Sequence, residues 1–505
     1  MLSLLVAVVL STVNLTGEVT ADGGDYKAVD FVVPAGSQEC QIAHSDGDPE
    51  VILDWGIWSP EGFRGWGGGL PDDAIIGVTA SSRGYLPGAL TPGTWQVMIG
   101  KAKLKNAMGR YDITVTCTNT ATLAAVPRRA FTPTVLPQGP GWIQGDFHVH
   151  SDDSGDANAS LMEISAFAKS RGLDFVAISD HNTISQHGLI AEAQQSLPDF
   201  LLLRSMEVTT YRGHGNALGV SNYVDHRVGF AGASATTIVN DVTAQGGVFT
   251  VNHPDLRLGT ECIGCAWDHA DTPWQKVSGI EILTGAYDLF EVLFTPTSIR
   301  RWDALEDQRI RLAALGGSDD HDGGRQMTAT KSQVGSPTTV VWVEQRSEAG
   351  IIAAIKQQRT YVKLRSPADP TVNFTVRKPD GSAAMLGDTV TDAQGLRFTM
   401  HIVGGAGTYA GIWRNGGLAV KETLVTSDDF TTTIALQPSG EMERFRLELT
   451  DEAGHRVVVT SHIYAQGMPV VDGCGCHSQR GANTVLLGLV ILVGGALRRT
   501  RHAAA

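Results

Sequence analysis

GWIQGDFHVH, residues 141–150, decides the fold: an apolar run bounded by glycine that delivers His148 and His150 at its end. Four further runs repeat the device. LDFVAISDH (173–181) ends on Asp180 and His181. FLLLRSMEV (200–208) carries Glu207, with His214 shortly after. GGVFTVNH (246–253) ends on His253, and IRLAALGGSDDH (310–321) ends on Asp319 and His321. Each has the length and the glycine or polar borders of a buried parallel strand. Parallel strands with helices between them bring their C-terminal ends to one side of a sheet or barrel, so side chains distant in sequence converge. A lone histidine after an apolar run is ordinarily a hydrogen-bonded loop residue. Here six of the fifteen histidines hold the same relative place, with carboxylates beside them, and that is the pattern of a metal site.

Working outward, the region 141–365 alternates apolar runs with helical stretches such as ASLMEISAFAKSRG and TTIVNDVTAQGG, which predicts an α/β barrel or layered sheet. Residues 22–130 carry short alternating strands, WQVMIGKAKL and YDITVTCT among them, split by Gly, Pro and Asp. They read as a β-sandwich. A Pro-rich linker covers 131–140. After SPADP, short strands return in VNFTVRKPDG, LRFTMHIVGG, FRLELTDEAG and HRVVVTSHIY, so 366–466 is expected to be a second β-sandwich packed on the central domain. The tryptophans of DWGIWSPEGFRGWGGG are expected in core and turn positions.

With 505 residues, 42% hydrophobic and 18% charged, the chain can bury a core in each of three domains. A net charge of −14 argues against binding to a nucleic-acid duplex, which needs basic surface to displace counterions. MLSLLVAVVLSTVNLTGEVTA (1–21) has the short apolar core and small-residue end of an export signal, cut near Ala21, although no Lys or Arg precedes the core. The alternatives are a start further upstream or a first strand. At the other end, 467–505 holds Cys474 and Cys476, an apolar stretch over 484–497, and Arg498, Arg499 and Arg501. That order resembles the myxobacterial C-terminal sorting signal and implies display at the cell surface, with a transmembrane anchor held by its arginines on the cytoplasmic side. Export would let Cys40 and Cys117 form a disulfide. Cys262 and Cys265, a CxxC followed by His269, read as a local disulfide, with structural zinc as the alternative.

HVHSDDSGD, ISDHN, SMEVTTYRGHGNALG, VNHP and GSDDH, in that order over 141–365, together resemble the PHP superfamily, named for polymerase-associated and histidinol-phosphatase domains. GDFHVHS and EVTTYRGHGNALG are most similar to the branch that includes carbaryl hydrolases. The resemblance implies a distorted (β/α)7 barrel holding two or three divalent transition metals (Zn, Mn or Fe). His148, His150, Glu207 and His253 would hold the paired metals, Asp319 and His321 would add ligands from the last strand, and His181 with His214 would serve a third ion. Many members place an Asp five residues after the second histidine; here that position is Gly155, so Asp156, or else Asp152 or Asp153, would supply the ligand. Asp180 would act beside the ligands, orienting one of them.

A metal pair lowers the pKa of a shared water and clamps the oxygens of a phosphoryl group. No P-loop, GxSxG elbow or dinucleotide fingerprint offers a rival chemistry. The expected function is hydrolysis of small phosphate esters or nucleotides by a metal-bound hydroxide, with Arg212, Arg325 or Arg359 binding the phosphate. Amide or carbamate hydrolysis at the same site, or a non-catalytic surface role, are the alternatives. No obligate protein partner is expected.

Overall fold

The computed structural model describes residues 8–467 other than 379 and 394. Two four-stranded antiparallel sheets open the chain. One holds Val9–Thr20, Met108–Thr118, Glu39–Ser45 and Ala74–Gly77; the other holds Tyr26–Val33, Gly93–Lys103, Ile52–Ser59 and Gly62–Gly68. Alternate residues of Met108–Thr118 are buried, the period-two pattern of a half-covered strand. Between the sheets lie Phe31, Trp55, Trp95, Ile99, Ile113 and Val115. Cys40 and Cys117 sit opposite each other in register and form the expected disulfide.

Val9–Thr20, expected within a removed leader, pairs with Met108–Thr118 from Thr20↔Met108 to Val9↔Thr118. Its side chains alternate as the sandwich requires, so cleavage near Ala21 would strip an edge strand from this sheet. The Pro-rich segment that follows runs along the central domain. Leu136 is buried there and its N–H donates to the Arg346 carbonyl, while Arg129 pairs with Glu192 at 2.7 Å.

The central region is mixed α/β, as expected, but its strands lie in two open sheets and do not close into the distorted (β/α)7 barrel that the resemblance implied. Leu201–Arg204, Phe175–Ile178 and Gly141–Val149 run parallel, and Thr338–Val343 and Thr360–Lys363 extend them antiparallel. The second sheet orders Glu207–Thr210, Gly213–Leu218, Val248–Val251, Gly279–Thr284 and Ala313–Gly317. The run FLLLRSMEV therefore splits, its first half in one sheet and Glu207 in the other. Only Tyr211 and Arg212 separate Glu207–Thr210 from Gly213–Leu218, too few for a crossover, so the two strands fold back as an antiparallel hairpin. That hairpin breaks the βα alternation on which a regular barrel depends. Isolated bridges, His181↔Glu207 and Val149↔Asp320, touch the two sheets together, and both involve the metal-type residues or their neighbours.

Helices fill the crossovers. Leu161–Ser170 starts at a capping box in which Ser160 and Glu163 satisfy each other's backbone N–H groups; Ala235–Ala244 does the same with Ser234 and Thr237. Beyond Lys363 the first sheet does not stop: Tyr361 pairs with Thr460, and Met442–Thr450 and Tyr409–Arg414 continue it. A four-stranded sheet of Ala383–Ala384, Thr371–Arg377, Leu396–Val403 and Asp429–Leu436 lies with it around Phe374, Phe398, Phe445 and Leu447. The central and C-terminal regions thus share one sheet. The cysteines, apolar stretch and arginines of the expected sorting tail lie outside the described residues; among those described, no helix is long and apolar enough to cross a membrane.

Candidate metal centre

Strand alternation aims the first ligand. Phe147 and Val149 enter apolar clusters on one face, so His148 must point to the other, where it is fully buried. His150 and His181 follow strand ends, Glu207 opens its strand at the point where the sheets touch, His214 stands across the hairpin from Thr209, and His253 and Asp319 lie two residues beyond theirs. His253 and Asp319 both have left-handed backbones, φ 27° and 55°. Such strain costs on the order of 1–3 kcal/mol and is characteristic of functional sites.

Glu207 is the hub. Its Oε1 lies 3.1 Å from His148 Nε2, 3.4 Å from His253 Nε2 and 3.6 Å from His214 Nδ1. Its Oε2 lies 2.7 Å from His181 Nδ1 and 3.9 Å from His150 Nε2. One carboxylate that divides five imidazoles between its two oxygens has the disposition of a bridging ligand. Asp319 Oδ1 is 3.3 Å from His148 Nε2 and 3.1 Å from His150 Nε2. Asp156, at the solvent edge, brings Oδ2 within 3.4 Å of His181 Nε2 and 3.5 Å of His321 Nε2, and those two nitrogens are themselves 3.4 Å apart.

These side chains fit divalent metal. Nitrogens bound tetrahedrally at ~2.0–2.1 Å stand roughly 3.3 Å from each other, close to the spacing between His181 and His321. His148 Nε2 is buried without a hydrogen-bond partner of good geometry, although Glu207 and Asp319 oxygens surround it. Its other nitrogen, Nδ1, meets Glu281 Oε1 at 3.0 Å, the carboxylate–histidine pairing that orients a ligating ring. Three ligand triplets cluster tightly here: His148, Glu207 and His253; His148, His150 and Asp319; and His150, His181 and His321.

The electrostatics agree. Burial alone would lower the His148 pKa, yet the carboxylates of Glu207, Asp319 and Glu281 outweigh it and hold the ring well above the ordinary histidine value. A site that draws a proton so strongly also draws a cation. His150, by contrast, is pushed down to about 3 by burial and by the neighbouring His321 and His181, which keeps it in the neutral form that offers a lone pair.

The centre opens into a cavity of about 630 Å³. Several expected site residues lie off it. Asp180 is buried and accepts the Ser151 N–H and hydroxyl, each at 2.7 Å, so it fixes the turn after His150 and does not face the cavity. Exposed Arg212 and the ion-paired Arg325 (with Glu163) and Arg359 (with Glu344) are also absent from the lining. The cation that does line it, among the described residues, is Lys331, 3.0 Å from Asp322. Asp153 is spent on Ser185 and the Gly84 N–H and Asp152 faces solvent, leaving Asp156 as the carboxylate of that loop in the cluster. Gly155 has a steric cause: its φ is 90°, and a Cβ there would stand 2.3 Å from Leu70 Cδ1 of the N-terminal sandwich. His269 donates to or accepts from Thr210, 2.8 Å away; the histidine beside Cys262 and Cys265 is His214.

Sequence reasoning missed Glu281 and Asn252, whose Nδ2 donates to Glu207 Oε1 at 2.8 Å. A carboxylate inside the apolar strand GIEILT was the available signal for Glu281. It also missed that the sandwich walls the cavity with Asp54, Trp66 and Leu70.

No family model matches the chain, and no curated protein matches it. Among solved structures, a two-domain protein from Bacteroides vulgatus ATCC 8482 containing a predicted PHP-like metal-dependent phosphoesterase is 17% identical; the match covers 67% of this chain and 100% of that one, with a TM-score of 0.38. A beta-glucuronidase from glycoside hydrolase family 2 is 8% identical over 87% of this chain and 50% of its own, with a TM-score of 0.16. The superpositions are partial, and the side chains described above carry the functional argument.

Proposed function

We propose that this chain is a metal-dependent hydrolase of small phosphate esters or nucleotides. The single observation that supports it is Glu207 standing between five imidazoles, with Asp319 and Asp156 closing the set. Bound divalent cations would supply the activation of water and the neutralisation of charge on the ester oxygens. The protein's own groups do the rest. Glu207, Asp319 and the histidines would hold the ions, Glu281 and Asn252 orient His148 and Glu207, and Lys331 would face the anionic part of the substrate. A cavity of about 630 Å³ is the size of a small-molecule site.

A second reading, amide or carbamate hydrolysis, is favoured by the lining itself. Leu70, Leu256, Ile263 and Phe290 make much of the wall, and Lys331 is its one cation among the described residues. Export and anchoring through the C-terminal tail belong to the same proposal.

A substrate panel separates the two. With metal supplied, the full chain should hydrolyse chromogenic phosphodiesters or phosphomonoesters, and Lys331→Ala should raise KM for these while leaving neutral aryl carbamates unaffected. Arg212→Ala and Arg359→Ala, being off the cavity, should leave kcat/KM essentially unchanged. Turnover of carbamates with none of phosphate esters would replace the first reading by the second.

A further inference from the structure

Two of the metal-facing histidines are held from behind by one short loop, and that loop is closed by a disulfide. His214 Nε2 lies 3.2 Å from the Ile263 carbonyl, and His253 Nδ1 lies 3.2 Å from the Cys265 carbonyl. A carbonyl oxygen can only accept, so His214 carries its proton on Nε2 and His253 carries its own on Nδ1. Each ring then turns its other nitrogen inward: His214 Nδ1 at 3.6 Å and His253 Nε2 at 3.4 Å from the same oxygen of Glu207. The tautomer that a metal needs is thus set by where two backbone carbonyls stand.

Those carbonyls belong to the segment 262–265, whose ends, Cys262 and Cys265, are bridged. Gly264 inside it has φ 77° and presses on the Thr210–Tyr211 turn so closely that a Cβ would lie 2.5 Å from the Thr210 carbonyl. Cys262 and Ile263 line the cavity. Cys262 is partly exposed, whereas Cys40 and Cys117 of the other disulfide are 2% and 0% exposed. A reductant therefore meets the loop bridge first.

Building on the metal-site reading above, we infer that the Cys262–Cys265 bridge is a positioning clip: it fixes the tautomer and aim of His214 and His253, and opening it loosens metal binding. The cysteines act on the metal through the histidines while bridged. Opening needs an outside dithiol, which passes two electrons and two protons to the bridge, forms its own cyclic disulfide and leaves two cysteine thiols. Loss of an outer partner that orients a ligating histidine typically costs about 10–100-fold in metal affinity.

The test uses the full chain in three states: oxidised, treated with mild dithiothreitol until peptide mapping finds thiols at 262 and 265 with Cys40–Cys117 intact, and as Cys262→Ser/Cys265→Ser. Nitrogen NMR of the 15N-histidine-labelled, metal-free chain reads the tautomers. The oxidised chain should show His214 protonated on Nε2 and His253 on Nδ1, and both opened states should lose that single assignment. Zinc affinity, measured by competition with a chromophoric chelator, should fall about 10–100-fold in both opened states, and the double variant should not respond to dithiothreitol. Unchanged tautomers and unchanged zinc affinity with the bridge open would overturn the inference. Should the oxidised chain take up no metal at all, the hydrolase reading falls, while the tautomer measurement still decides the clip.

Discussion

Glu207→Ala should abolish hydrolysis and strip the centre of metal. The carboxylate is fully buried, and its two oxygens lie 3.1, 2.7, 3.6 and 3.4 Å from nitrogens of His148, His181, His214 and His253. Its removal takes away the negative charge that offsets bound cations and the one group placed to bridge two of them. What remains is a cluster of imidazoles without the counter-charge at its centre, and His150 is already pushed low by burial and by its His321 and His181 neighbours. The loss should exceed the ~10–100-fold typical of changes behind the ligands. It is measured as kcat/KM on the best substrate of the panel, alongside metal content. His148→Ala and Asp319→Ala should behave alike, whereas Asp152→Ala, whose side chain faces solvent, should keep most activity. Activity of Glu207→Ala within tenfold of the native chain would contradict its role as the hub.

Glu281→Ala is expected to have the second-largest effect, although this residue stands behind the ligands. One carboxylate oxygen takes His148 Nδ1 at 3.0 Å and the other accepts the His253 backbone N–H at 2.8 Å. Its loss leaves two buried donors unpaired, at roughly 1–3 kcal/mol each, and frees the His148 ring to rotate or change tautomer. Metal affinity should fall about 10–100-fold, with a parallel drop in thermal stability of the metal-free chain. Glu281→Gln, which keeps a carbonyl oxygen for one of the two donors and sets an amide NH2 against the other, should recover at most part of each. A variant with lower stability but native metal affinity would reduce Glu281 to a packing role.

The sequence made the centre more legible than the architecture. A histidine at the end of a glycine-bounded apolar run is a local signal, and His148, His150, His181, His253, Asp319 and His321 could be found because each sits beside its own strand. Glu207 joins them from a strand arrangement other than the one expected. Nothing local in FLLLRSMEV reveals that the chain leaves one sheet at Ser205 and enters another at Glu207. The two-residue turn at Tyr211 and Arg212 then forces an antiparallel hairpin where a parallel strand end was expected. The arginines stand off the cavity for a related reason. Charge and proximity in sequence cannot tell a cavity wall from a surface, and Arg359 is committed to Glu344 and Asp388. Gly155 could not be explained before the N-terminal sandwich was seen to lay Leu70 against it, a contact between residues far apart in the chain. Residues 9–20 carry alternating apolar side chains that suit a strand as well as a leader, and in the structure they pair with Met108–Thr118.

The central claim is that this cluster binds divalent metal, and elemental analysis of the purified chain after metal supplementation and dialysis tests it most directly. The expected content is about two or three transition-metal ions per native chain, falling below about one in Glu207→Ala. A native chain holding less than about one ion under the same conditions would contradict the account.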